Sequence, residues 1–185
     1  MKTLSVKSKK WIAAAGLAGL AIIIAVVVAL GVGHANGPTR VVKTFFDSFN
    51  QRDFDAFVGC YMPKDQQLLQ ESVEKLGGSD VFFEKNYQTM FGTDAPNGSF
   101  GEDVTLSVSD AKATAQTIKD GKFNGIDVES MKVSAVSTVS CTVTTKGSLK
   151  EVEESLQVVC FKIEGKWYIY TMASNPTVPE SPTDV

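Results

Sequence analysis

The sequence is poor in the residues from which metal centres and many active sites are built. It has one histidine, His34, and three cysteines, none of which lies in C-x-x-C spacing. A zinc site usually needs four closely spaced histidine or cysteine ligands. The sequence also lacks the motifs of a catalytic triad and of a phosphate-binding loop. We therefore expect no metal and no cofactor, and the sequence identifies no catalytic residue.

Positive charge is scarce beyond the first ten residues. Four of the 18 basic residues lie in residues 1–10, which leaves 14 basic against 21 acidic residues in the rest of the chain. An acidic domain repels phosphate backbones, so we expect no nucleic-acid partner.

One long stretch contains no charge at all. Trp11 to Val32 is long enough to cross a bilayer as a helix, and lysines precede it. The pattern predicts a single-pass signal anchor over residues 11–32, which binds the cell membrane, with residues 1–10 in the cytoplasm and the C-terminal domain extracytoplasmic. Residues 33–37 are interpreted as a linker. The alternative is a secreted domain released by cleavage after Ala35.

Residues 38–174 are predicted to form one domain that opens with helices. Apolar residues recur at steps of three and four from Val42 to Tyr61, with a polar break at residues 50–53. Further helices are predicted over 64–76 and from Ser79 or Asp80 to Phe91, separated by Gly77-Gly78. The many aromatic residues of these helices are interpreted as core.

The second half of the domain has the alternating pattern of strands. Strands are predicted around residues 104–108 and over 131–143, 153–163 and 166–172, with a tight turn at Glu164-Gly165. Residues 110–119 are predicted to form a short helix, although their alternate alanines would also suit a strand. Residues 175–185 contain three prolines and are predicted to be a disordered tail. Helices followed by strands indicate an α+β fold, with helices packed on a curved antiparallel sheet.

Two segments resemble the nuclear transport factor 2-like superfamily, also called SnoaL-like or cystatin-like α+β. Val41–Phe57 resembles its opening helix, and Val159–Ile169 resembles its final hairpin. Gly125–Glu129 resembles membrane-anchored or lipoprotein members from Gram-positive bacteria. The resemblance implies a cone-shaped pocket between helices and sheet. It also implies either small enzymes (isomerases, cyclases, dehydratases) or domains that bind, dimerise or assist other proteins.

Few residues suit catalysis in such a pocket. The pocket candidates are four tyrosines: Tyr61, Tyr87, Tyr168 and Tyr170. Asp47 is interpreted as a solvated helix charge and Asp103 as a turn residue. We therefore expect a non-catalytic binding or accessory module at the cell surface, with an unidentified protein or small molecule as ligand. The alternatives are a small pocket enzyme, and a structural or assembly domain that acts through its sheet face. A homodimer through that face is implied by the resemblance.

Two of the cysteines lie on neighbouring predicted strands. If these strands pair about a centre near Lys150-Glu151, Cys141 faces Cys160 at a separation that permits a disulfide. The other interpretation is that these two thiols are buried and free. Cys60 is interpreted as a small buried apolar residue.

Overall fold

The computed structural model of the protein describes residues 37–96 and 98–174. Four helices come first: α1 (Pro38–Gln51), α2 (Phe54–Val58), α3 (Pro63–Leu76) and α4 (Ser79–Phe91). Six strands follow: β1 (Thr105–Gln116), β2 (Lys122–Phe123), β3 (Ile126–Asp127), β4 (Val133–Lys146), β5 (Glu151–Ile163) and β6 (Lys166–Ser174). The architecture is α+β with an antiparallel sheet.

The predicted fold class is corrected in its membrane part. In the ranges 37–96 and 98–174, no helix is both long enough and apolar enough to cross a bilayer. The predicted span over residues 11–32, the linker before residue 37 and the predicted tail lie outside the described residues.

Short local signals set the helix boundaries. Pro38 and Pro63 occupy the first turns of α1 and α3, where a missing backbone N–H costs nothing. Arg52 ends α1 in the left-handed conformation, at φ 53°. Asp53 then caps α2 by accepting a hydrogen bond from the backbone N–H of Ala56 at 3.0 Å. The break predicted at residues 50–53 is therefore confirmed as a sharp turn between two helices.

The apolar face of α1 packs on one face of the sheet. Val41, Val42, Phe45 and Phe46 are each at most 5% exposed. They belong to one core cluster with Val139 of β4 and with inward-facing residues of β5 and β6. The aromatic residues of α2 and α4 extend this cluster with edge-to-face contacts such as that of Phe57 with Phe83, 5.8 Å between ring centroids. The space between helices and sheet is thus filled by aromatic side chains.

The sheet has the order β1-β4-β5-β6, and all its pairs are antiparallel. The helix predicted over residues 110–119 is wrong, because β1 continues to Gln116. The strand passes an irregularity between Ser109 and Lys112, where Asp110 has φ 52°. Pairing along β4 outweighs the helix propensity of the alanines, which is a weak preference that tertiary contacts override.

A second, smaller core cluster lies on the opposite face of the sheet. Phe161 and Ile163 point to it, whereas Val158 and Cys160 point to the helices, as the alternation of β5 requires. Residues around β2 and β3 cover this cluster, and Met62 joins it. Before Met62, the carbonyl of Cys60 accepts a hydrogen bond from the N–H of Ile169 at 2.8 Å. The segment after α2 therefore contacts the outer edge of β6.

Asn50 attaches the end of α1 to the outer edge of β1. Its side-chain amide donates to the carbonyl of Leu106 at 2.7 Å, and its oxygen accepts from the N–H of Leu106 at 2.9 Å. The amide group thus acts as a neighbouring strand would, since it satisfies both backbone groups that Leu106 points away from β4.

We expect Asn50→Ala to lower the free energy of unfolding by about 1–2 kcal/mol, because two hydrogen bonds to one edge residue are lost. Urea denaturation measures this. Gln51→Ala, at the exposed neighbouring position of α1, is the matched control and should change stability by less than about 0.5 kcal/mol. Equal effects of the two substitutions would show that the Asn50 amide does not hold β1.

Candidate functional site

A cleft opens where the end of α1, α4 and the start of β1 meet. We call it the α1–α4 cleft; its volume is about 220 Å³. Nine residues line it: Phe49, Asn50, Arg52, Phe83, Tyr87, Phe91, Asp103, Val104 and Leu106.

Aromatic rings form the wall of the α1–α4 cleft. Phe49 and Tyr87 are half-buried, while Phe83 and Phe91 behind them are 1% and 7% exposed. Phe49 meets Phe83 edge to face at 5.6 Å between centroids, and Tyr87 meets Phe91 in the same way at 5.4 Å. These edge-to-face contacts pack each outer ring against a buried ring behind it.

The rim of the cleft carries one paired and one unpaired charge. The Arg52 guanidinium lies 3.2 Å from the carboxylate of Glu84 on α4. Asp103 is exposed at the mouth, and its carboxylate makes no hydrogen bond or ion pair with any described residue. Because Glu84 offsets Arg52, the charge that remains for a ligand is the negative charge of Asp103.

Tyr87 is the one predicted tyrosine that lies at the cleft. Its hydroxyl donates to the carbonyl of Gly101 and accepts from the N–H of Val104, both at 3.4 Å. These distances are long for hydrogen bonds of a hydroxyl. The hydroxyl is therefore held only loosely and could turn to a ligand at small cost.

The other three predicted tyrosines lie elsewhere. Tyr61 is fully buried in the helix-side core, where its hydroxyl has no hydrogen-bond partner among the described residues and burial raises its pKa. Tyr168 and Tyr170 lie on the opposite face of the sheet. Burial also raises the pKa of Tyr168, and Tyr170 stacks on Phe161 with centroids 4.2 Å apart. The structure does not bring the four tyrosines into one pocket.

The strand register that would join two cysteines is wrong. Cys141 lies opposite Leu156, and Cys160 lies opposite Ser137. Pairing is centred between Ser148 and Leu149 because Lys146 faces Glu151. The cysteines are therefore offset by four residues, too far apart for a disulfide. Cys60, Cys141 and Cys160 are all buried free thiols.

Comparison with protein-family models, with curated proteins and with solved structures finds no match for this chain. The resemblance to the nuclear transport factor 2-like superfamily thus stays a prediction. Among the described residues, no group of three or more histidine, cysteine or acidic side chains is placed to hold a metal ion.

The sequence predicts Tyr87 as a pocket residue, but it does not identify Asn50 or Arg52 as residues of the cleft. The sequence pattern places Asn50 in a helix break, and it favours a turn residue over a catalytic residue for Asp103. Arg52 and Asp103 both adopt a left-handed backbone, at φ 53° and 51°. Such a conformation is uncommon outside glycine and has only a weak signature in aspartate. The capping residue Asp53 is a sequence signal for the turn after α1. No such signal indicates that Asn50, just before the turn, contacts β1.

One buried carboxylate lies apart from the cleft, in the first turn of α3. Asp65 is 3% exposed, and its Oδ2 atom has no hydrogen-bond partner in the ranges 37–96 and 98–174. Burial raises the pKa of Asp65 from 3.8 to about 6, partly opposed by the charge of Lys64. An ionised Asp65 at neutral pH therefore destabilises the folded state.

We expect all three thiols to resist iodoacetamide at pH 8 in the folded protein. Burial raises the pKa of Cys60 to about 12 and raises the pKa values of Cys141 and Cys160, so little reactive thiolate forms. After unfolding without reductant, mass spectrometry should show three alkylated cysteines. A single alkylated cysteine would instead demonstrate a disulfide.

Asp65→Asn should stabilise the protein at pH 7.5 by about 1 kcal/mol. Between pH 3.8 and about 6 the folded protein binds more protons at Asp65 than the unfolded chain does, so this residue makes stability fall as pH rises. The substitution should remove that part of the slope and leave stability at pH 3.5 unchanged. Urea denaturation across pH measures both effects. Glu74→Gln, at an exposed position of α3, is the control and should retain the slope.

Proposed function

We propose that this domain is a non-catalytic binding module whose α1–α4 cleft receives a small amphipathic group with a positive charge. The observation that carries the proposal is an aromatic wall beneath an unpaired, exposed carboxylate. Aromatic faces attract cations through their quadrupole, and a carboxylate at the rim adds a charge-assisted hydrogen bond.

The size and polarity of the cleft suit a small chemical group rather than a large substrate. A cavity of about 220 Å³ is smaller than the roughly 300–1,000 Å³ of pockets that hold drug-sized molecules. An alkyl-ammonium or guanidinium group on a short apolar stem would fit. That chemistry occurs in free amines and in the lysine or arginine side chains of a partner protein.

Electrostatics favour the same ligand. The chain has a net charge of −3, and the acidic residues are concentrated after residue 10. A negative field attracts cations and speeds their encounter with the domain. Glu84 further offsets Arg52, which would otherwise repel a positive ligand at the rim.

Binding is favoured over catalysis by the environment of the acidic group. A general base is usually tuned by burial or by a close charge. Asp103 is exposed, and the described domain contains no histidine. The cleft therefore offers recognition groups without a desolvated acid or base.

The order of elements supports the resemblance found in the sequence. Helices that precede an antiparallel sheet and pack on one of its faces agree with the nuclear transport factor 2-like superfamily, and we propose membership on that basis. The family's central pocket would here be replaced by packed aromatic residues, and the cleft would lie at the end of α1. Fold alone would not select a ligand.

Titration of the full-length chain with phenethylammonium should show binding in the submillimolar range, about −5 kcal/mol, which is reasonable for so small a ligand. Isothermal titration calorimetry or saturation-transfer spectroscopy measures it. The matched probe is 3-phenylpropionate, which has the same ring but the opposite charge and should bind about tenfold more weakly or not at all.

Asp103→Asn should weaken phenethylammonium binding about tenfold, because the charge is removed while the left-handed backbone is tolerated. Asp110→Asn is the matched control, since Asp110 is also exposed with φ 52° but does not line the cleft. The proposal fails if the two variants bind alike, or if both probes bind with equal affinity.

A further inference from the structure

The outer edge of β1 is occupied at one end and open at the other. At Leu106 both outward backbone groups bond to Asn50. The register of β1 with β4 passes one irregularity and then pairs Lys112 with Ser140 and Thr114 with Thr138. Hydrogen bonds alternate along an antiparallel pair. The backbone groups of Leu106 point away from β4, so its partner Thr145 does not bond to β1, and the even-numbered residues of β4 do. Ser140 and Thr138 are even-numbered, so their partners Lys112 and Thr114 bond to β4. The backbone groups of Ala113 and Ala115 therefore point outward.

The backbone N–H and C=O groups of Ala113 and Ala115 make no hydrogen bond outside the sheet to any described residue. Ala113, Thr114 and Ala115 are all exposed. The opposite edge of the sheet differs, because Cys60 bonds to Ile169 of β6. The open edge is therefore the segment Lys112–Gln116.

The sequence of the open edge is nearly the same when it is read in either direction. Around Thr114 the sequence reads Ala-Thr-Ala, with Lys112 and Gln116 at the ends. In a two-fold antiparallel pair centred on Thr114, Ala113 lies opposite Ala115 of the second copy, and Lys112 lies opposite Gln116 of the second copy. No like charges meet, and the small alanines allow close approach. A two-fold interface requires this self-complementarity.

We infer that a second copy of this chain pairs with the open edge Lys112–Gln116 and joins the two sheets into one. About four backbone hydrogen bonds form, two from each of the alanine pairs. The sheet face is less suited to this role, because beyond the second core cluster it exposes polar side chains such as Ser107, Ser140 and Gln157.

The interface is short. The irregularity at Asp110 ends the pairing on one side, and β1 ends at Gln116 on the other. Five residues from each chain bury less surface than the roughly 1,200 Å² typical of stable complexes. The dimer is therefore weak and forms in proportion to concentration, with a dissociation constant in the micromolar to millimolar range.

Sedimentation velocity of the full-length chain tests the pairing with two matched double variants. Ala113→Lys with Ala115→Lys places like charges opposite each other across the two-fold axis, and the dimer dissociation constant should rise about tenfold. Ala113→Lys with Ala115→Glu places opposite charges there and should leave the constant unchanged or lower it. All these positions are exposed, so the fold is retained.

A cysteine substitution reads the register directly. Thr114→Cys should form a disulfide-linked dimer under mild oxidation, because the two Cα atoms at the axis lie about 4.5 Å apart. Ser107→Cys lies on the same strand but roughly 40 Å from its equivalent in the second copy. It should not cross-link. The native thiols are buried and do not compete.

The inference is overturned if the wild-type chain sediments as a monomer up to about 1 mM, a concentration at which millimolar affinity is detectable. It is also overturned if the two charge variants behave alike, or if Thr114→Cys cross-links no more than Ser107→Cys. None of these results depends on ligand binding at the α1–α4 cleft.

Discussion

The packing of α1 against the helix-side face of the sheet is the contact on which the rest of the structure depends. Val41 and Val42 are completely buried, and Phe45 and Phe46 nearly so. Burying such side chains contributes about 1.5–3 kcal/mol each. Because this face fixes the direction of α1, it also fixes the position of the C-terminal end of α1 relative to the sheet. That end carries Asn50 to the edge of β1 and Phe49 to the wall of the cleft.

The strand β1 connects the two proposed sites and keeps them apart. Leu106, near its start, lines the cleft, whereas Ala113 and Ala115 lie on the open edge near its end. Eight residues of strand span roughly 26 Å. A second copy at the open edge would therefore leave the cleft accessible. The Asn50 amide occupies the edge beside the cleft, which confines edge pairing to the far end of the strand.

Local sequence patterns predicted the helices well, because glycine, proline and a capping aspartate mark their ends. Gly77 ends α3 in the left-handed conformation, as the glycine pair suggested. The turn at Glu164-Gly165 also agrees, since both residues have positive φ. The alanines of residues 110–119 predicted a helix, which is wrong, because pairing with β4 beside them selects the strand. The cleft was not predictable, because it arises from residues distant in sequence.

The sequence by itself determined the α+β class, the position of the helices before the strands and the aromatic core of the helices, since apolar period and turn chemistry are local properties. It also determined the acidic charge and the scarcity of metal ligands. The tertiary structure decided the strand register, and with it that Cys141 faces Leu156 rather than Cys160. It also decided that Asp103, Tyr87 and Phe49 share one cleft. Those outcomes depend on how separate elements pack, which no single segment encodes.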